Sequence, residues 1–384
     1  MKISCALPAL CALVASALFG QDQIVYVGTF TTSVGSFVSD GSEGIYAFRY
    51  QPASGKMTGL GLMAAATDPG YLAINSNHRF LYAVNEVSNY HGLGTGGVSA
   101  FSIDPSTKKL KFLNTVSSKG GRPCHLMFDK SGKWLFVANF ETGSVGVLPV
   151  HDDGTLGEAA SFVQHSGSSV NPERQAGPHA HSSNLSPDGR FVLVADLGLD
   201  RVFTYQFNSA KGVLTPANPP YIKMPPGSGP RHLSFSPNGD HAYMVSEMGD
   251  VVTAFDYDAS SGGLREVKTL SSVAPGFKGF MSGAEIAIHP SGKFVYASNR
   301  GEASISIFRV DSKGSISAAG RVPTQGKTPR NFAIDPSGTF LFAGNQDSGT
   351  IVEYRIDLLT GSLTPTGEVL KVPAPVCITF AGIQ

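Results

Sequence analysis

Short apolar stretches at period two recur along the chain, and five copies share the same turn between a pair of them. They are LMFDKSGKWLFVAN from Leu126, NLSPDGRFVLVAD from Asn184, SFSPNGDHAYMVS from Ser234, AIHPSGKFVYASN from Ala287 and AIDPSGTFLFAGN from Ala333. Period two sends alternate side chains to one face, the mark of a strand, and the glycine of each turn supplies the positive φ of a tight hairpin. A sixth copy, YLAINSNHRFLYAVN from Tyr71, reads with Asn77 at the glycine position. The six turns lie 46 to 57 residues apart. A third strand follows each hairpin, as in SVGVLPV, RVFTYQF, VVTAFDY, SISIFRV and TIVEYRI, and a more variable fourth precedes the next unit. Each unit is therefore a four-stranded antiparallel sheet that cannot cover both of its faces alone.

The two ends supply the missing unit. IVYVGTFT and GIYAFRY near the N-terminus read as second and third strands, TGLGLMAAA as a fourth, and PAPVCITFAG near the C-terminus as the first. An open solenoid would carry distinct caps instead of complementary halves. The prediction is all-β: a seven-bladed β-propeller of four-stranded antiparallel blades, with one blade closed by N- and C-terminal strands. Ser33–Gly44 and Asn89–Gly97 read as insertions between strands.

Residues 1–20 change the boundaries of that domain. Lys2 precedes an apolar run from Cys5 to Phe19, and Ala15, Ala17 and Gly20 suit signal-peptidase processing, so 1–20 reads as a secretory signal and 21–384 as one propeller domain. The run is too short for a comfortable membrane span, so no membrane association is expected once the signal is removed. Net charge is zero, which argues against a nucleic-acid partner. Beyond the signal only Cys124 and Cys377 remain, in corresponding strands of different repeats, and two free thiols are the favoured reading. Asn184-Leu185-Ser186 is a glycosylation tripeptide weakened by Pro187. A monomer is expected.

Repeat register points to a site. Eight residues before the turn glycine stand Cys124, His181, Arg231, Ala284 and Arg330, near the start of the innermost strand. After the second strand stand Glu86, Phe140, Leu197, Glu247, Arg300 and Gln346. Equivalent residues of a radial fold crowd one mouth of the channel. Arginines grip carboxylate or phosphate bidentately, and histidine or glutamate moves protons near neutral pH. His181, Glu247 and Arg231 are the catalytic candidates. Arg300, Arg330, His179, Glu86, Tyr90 and His91 are the candidates for substrate binding, the last two on a loop that could overhang the mouth. Strand alternation should turn His125 and His232, one residue out of register, away from this ring. His289 reads as a surface or hairpin residue. Two histidines in GPHAH are weak evidence for metal, so no cofactor is required, and a divalent cation is left open.

YVGTFT at Tyr26–Thr31, YLAINSNHRFLYAVNE, GPHAHSSNLSPDGRFVLVADLGLDRV at Gly177–Val202, GPRHLSFSPNG at Gly229–Gly239 and HPSGKFVYASNRG at His289–Gly301 carry a further resemblance. Over nearly all of the mature chain the sequence resembles the lactonase family of seven-bladed propellers, which includes bacterial 6-phosphogluconolactonase and fungal carboxymuconate-cyclising enzymes. The resemblance implies a lactone hydrolase acting on a small anionic lactone or carboxylic acid. A carboxymuconate-type cyclase, or a lyase acting on a uronate-containing glycan, asks for similar residues. A non-enzymatic binding propeller is the other class, and it predicts that the polar groups lie apart or close on one another. No Gly-x-Ser-x-Gly nucleophile motif is present, so direct attack by water fits better than an acyl-serine intermediate.

Overall fold

The computed structural model describes residues 21–32 and 39–381; the expected signal and the first half of the Ser33–Gly44 insertion lie outside the described residues. Seven four-stranded antiparallel sheets form the blades. Blade 1 joins Gln23–Thr29, Gly44–Tyr50 and Met57–Ala65 to the C-terminal strand Pro375–Ala381. Blades 2 to 7 follow in chain order at 72–117, 123–164, 180–223, 230–271, 283–323 and 329–371. In blade 1 the N-terminal strand pairs antiparallel with the C-terminal one, Ile24 opposite Ala381 and Gly28 opposite Cys377, so the ring closes as the sequence halves predict.

Both faces of each blade are covered, which is why the second strands are almost uninterrupted in their apolar character. Phe191–Asp196 and Phe294–Asn299 are buried at every position. Each blade interface owns one apolar cluster, such as Phe136, Val145 and Val192 between blades 3 and 4 or Phe294, Ile305 and Leu341 between blades 6 and 7. Tyrosines of the second strands tie the interfaces further. The hydroxyls of Tyr82, Tyr243 and Tyr296 donate to Gly154, Gly314 and Gly361 carbonyls of the following blade at 2.9, 3.1 and 2.8 Å.

The hairpin glycines adopt the left-handed conformation as expected: φ is 71° at Gly132, 76° at Gly189, 80° at Gly239, 72° at Gly292 and 75° at Gly338. In the sixth copy that place belongs to His78, at φ 54°, and not to Asn77. The left-handed residue stands two positions before the second strand in every copy, and the Asn75 side chain steadies the turn by accepting from Arg79 N and Phe80 N at 3.0 Å each. His289 sits in its hairpin but is buried, its Nε2 2.8 Å from the Gly338 carbonyl of the next blade. Asn184 is buried in an innermost strand and donates to Ser182 Oγ, so it is not a surface sugar acceptor. Cys124 and Cys377 are free and buried, as the sequence suggested.

Candidate active site

The first strand of each blade touches the first strands of both neighbours, so these seven strands enclose the channel. The residues at its mouth are set by what precedes them. Asn85, Asn139, Asn299 and Asn345, which end second strands, donate from Nδ2 to the connector carbonyls of Thr67, Ser118, Ser272 and Thr324 at 2.7 to 3.0 Å. Each buried amide thereby fixes the next residue: Glu86, Phe140, Arg300 and Gln346. The first three of these line a cavity of about 650 Å³, together with Glu247, Cys124, His179, His181 and Arg330.

Glu247 is the hub. Arg174 Nη2 lies 2.6 Å from its Oε1, while Arg300 Nη2 and Arg231 Nε lie 2.8 and 3.1 Å from its Oε2. Burial alone would raise its pKa, but Arg300, Arg231 and Arg174 outweigh that and hold the carboxyl well below the usual range. Arg231 does not line the cavity. Its guanidinium is spent on Glu247 and on the Ala284 carbonyl, 2.5 Å away, which makes it a support for the hub and not an open anion grip.

His181 Nε2 faces Glu247 Oε2 at 3.8 Å and its Nδ1 lies 3.7 Å from Cys124 Sγ. Burial, with the charge of Arg231 and proximity to His232, pushes its pKa well below 6.5, so the imidazole is neutral. The Cys124 thiol is pushed up by burial and stays protonated, donating to the His181 carbonyl at 3.3 Å. His179 stacks on Phe140 with ring centroids 4.7 Å apart and donates from Nδ1 to the Phe140 carbonyl at 2.8 Å. Glu86 pairs loosely with Arg330 at 3.6 Å and Arg122 at 4.0 Å.

Tyr90 and His91 do not line the cavity; their rings pack edge to face at 4.2 Å on their own loop. Conversely, His125 and His232 do enter the channel. His232 of blade 5 contacts Tyr71 of blade 2 at 6.0 Å, His125 of blade 3 at 5.4 Å and His181 at 5.2 Å between ring centroids, which only a residue facing the axis can do. A β-bulge explains the reversal. The ladder skips a residue between Pro123 and His125, Ala180 and Ser182, Pro230 and His232, and Pro329 and Asn331, so strict alternation fails where the prediction relied on it. Below the mouth, His232 Nδ1 lies 3.0 Å from Glu285 Oε1, and Asn331 Nδ2 donates to Glu285 Oε2 at 2.5 Å.

Three further groups at the mouth had weak signals. Phe30 occupies in blade 1 the place of Arg300 and would have emerged had the register been carried to the N-terminus. Arg174 and Phe280 come from connectors 165–179 and 272–282, which share no register with the repeats. Asn171 holds Arg174 by accepting its backbone N–H at 3.1 Å. Gly301 admits Phe280, since any Cβ there would collide with the Phe280 carbonyl. Among the described residues no group of three or more His, Cys, Asp or Glu is arranged to hold a metal ion.

The molecule is thus a seven-bladed propeller whose channel mouth holds a cavity lined by arginine, histidine and glutamate, the arrangement of an enzyme site. A family profile described as "Lactonase, 7-bladed beta-propeller" matches residues 24–380, and the chain belongs to that family of lactone-hydrolase-like enzymes. It is 36% identical over 358 residues to a 6-phosphogluconolactonase of Bacillus subtilis, covering 93% of this chain and 98% of the relative. Among solved structures it resembles a periplasmic gluconolactonase of Pseudomonas aeruginosa with TM-score 0.87 and 32% identity, covering 95% of this chain and 100% of the other. A putative 6-phosphogluconolactonase of Bacteroides fragilis matches with TM-score 0.85 and 35% identity, over 94% and 98% of the two chains.

Proposed function

We propose that the protein is a secreted lactonase that opens a sugar-acid or related carboxylated lactone by direct attack of water. The observation that carries this reading is a neutral, buried His181 set 3.8 Å from an arginine-saturated Glu247 in one cavity. Arg300 and Arg330 bind the substrate's anionic group at the mouth, with Arg174 beside them. His181 takes the proton from water as it attacks the acyl carbon, and the arginine edge facing the cavity stabilises the oxyanion that forms. Glu247 is a poor base, because three guanidinium groups already share its charge. It orients Arg300 and stabilises the imidazolium of His181. A thiol ester on Cys124 is disfavoured by the protonated state of that buried sulfur.

The relatives named lactonases support the bond that is broken. The apolar leader at 1–20 and a periplasmic relative support action outside the cytoplasm, and no helix among the described residues is long and apolar enough to cross a membrane. The test is product analysis. Purified protein incubated with gluconolactone, 6-phosphogluconolactone, a muconolactone and uronate glycans should release acid from a lactone, read by pH-stat and NMR. An unsaturated product from a glycan, with every lactone opening at the blank rate, would replace hydrolysis by β-elimination.

A further inference from the structure

Glu86 and Glu247 hold the same register position in blades 2 and 5, eight residues after the left-handed turn residues His78 and Gly239. One difference in their surroundings lies in the blade's own first strand. Eight residues before the turn, blade 5 carries Arg231, whose Nε meets Glu247 at 3.1 Å; blade 2 carries Gly70. The missing side chain is space that Glu86 fills: its Oε2 lies so close over Gly70 that a Cβ there would collide with it. The cations near Glu86 come from other blades, Arg330 of blade 7 and Arg122 at the entry to blade 3, and both approach Oε1. Glu86 is 7% exposed and lines the cavity together with Cys124 and His181.

We propose that Glu86 is the proton donor of this pocket, delivering its carboxylic-acid proton to the ring oxygen that leaves when the lactone opens. The inference rests on the lactone-opening reading above. Water gives a proton to His181 as its oxygen bonds to the acyl carbon. The bond from that carbon to the ring oxygen then breaks, with the electron pair going to the ring oxygen and the Glu86 proton following it. The hydroxy acid departs, and return of the proton from the His181 imidazolium to the Glu86 carboxylate through solvent resets the pair. Burial raises the pKa of Glu86; Arg330, Arg122 and Arg231 offset part of that rise and Asp68 adds to it. Glu247, ringed by three arginines, cannot hold a proton at the same pH.

Two independent readouts test this. In pH–rate profiles with gluconolactone, corrected for spontaneous opening, wild-type kcat should fall as pH rises through the Glu86 pKa. Glu86→Gln should lower kcat by about 10²-fold with KM nearly unchanged and abolish that alkaline limb. Gly70→Ala, which displaces the carboxylate from its niche toward Arg330, should move the limb to lower pH. The second readout needs no substrate: in pH-difference infrared spectra the protonated-carboxyl band that outlasts those of surface acids should contain, beside the buried Asp250 and Glu353 whose pKa values burial also raises, a component lost in Glu86→Gln and kept in Glu247→Gln. A folded Glu86→Gln protein with wild-type kcat and limb, or a band that Glu86→Gln leaves unchanged, overturns the proposal. A wild type that shows the Glu86 component yet opens no lactone overturns the reaction reading while leaving Glu86 as the protonated acid of the cavity.

Discussion

Replacing Glu247 by glutamine keeps the shape of the hub and removes its charge. Arg231 and Arg300 have side chains only 3% and 8% exposed, and Arg174, at 36%, is partly in water. Breaking a buried pair by deleting one partner costs about 3–5 kcal/mol, because a buried charge is left uncompensated. Two features draw the value to the lower end. Arg231 retains the Ala284 carbonyl and the new amide oxygen still accepts one hydrogen bond, while the exposed Arg174 pair contributes under about 1 kcal/mol. The expected loss is about 3 kcal/mol, or roughly 6 °C in Tm at about 2 °C per kcal/mol for a large domain. Urea titration checks it, followed by fluorescence of Trp134, the only tryptophan, whose Nε1 donates to Ser209 O across blades 3 and 4 at 2.8 Å, with circular dichroism as the second probe. The pH dependence fixes the sign. A depressed carboxyl contributes stability that is complete above its unfolded value, near 4.5, and is lost as pH falls from there toward the folded value. The gap between wild type and variant should therefore be constant through neutral pH and narrow below about 4.5. A gap under about 1 kcal/mol at neutral pH, or one that widens on acidification, would refute the hub argument.

Arg300→Lys should lower kcat/KM by about 10²-fold despite the retained charge, because a lysine cannot meet Glu247 and an anion with one planar fork; steady-state kinetics against wild type would read it, and wild-type values would show that only charge matters there. Truncation before Pro375 should abolish soluble folding: it removes the buried Val376, Cys377, Ile378 and Ala381 and opens the edge of Gln23–Thr29. At about 1.5–3 kcal/mol for each large apolar side chain, that loss is comparable to the whole stability of a typical domain. A soluble truncated chain with an unchanged urea midpoint would contradict the closure argument.

The fold was legible because the repeat encodes it twice, in apolar stretches and in left-handed turn residues, and because the two termini carry complementary halves of one blade. The mouth was legible where the count from the turn holds: Glu86, Phe140, Glu247 and Arg300 all line the cavity, beside His181 and Arg330. It failed for two physical reasons. A β-bulge beside Cys124, His181, Arg231 and Arg330 cancels the alternation used to dismiss His125 and His232. Connectors escape the register altogether, which hid Arg174 and Phe280, and Arg122 is held at φ 48° just before Pro123, where no strand pattern applies. The loop residues Tyr90 and His91 were chosen by chain proximity to Glu86, and outside a strand that proximity fixes no direction: Glu86 lines the cavity, while the two rings pack on each other.

The most direct test of the central claim compares lactone opening by wild type and His181→Asn at matched folding. The account predicts that wild type opens at least one carboxylated or sugar-derived lactone well above the blank, and that His181→Asn loses about 10²–10⁴-fold in kcat with little change in KM. Equal rates for the two proteins, with the same hydroxy-acid product, would contradict the assignment of His181 as the base that activates water.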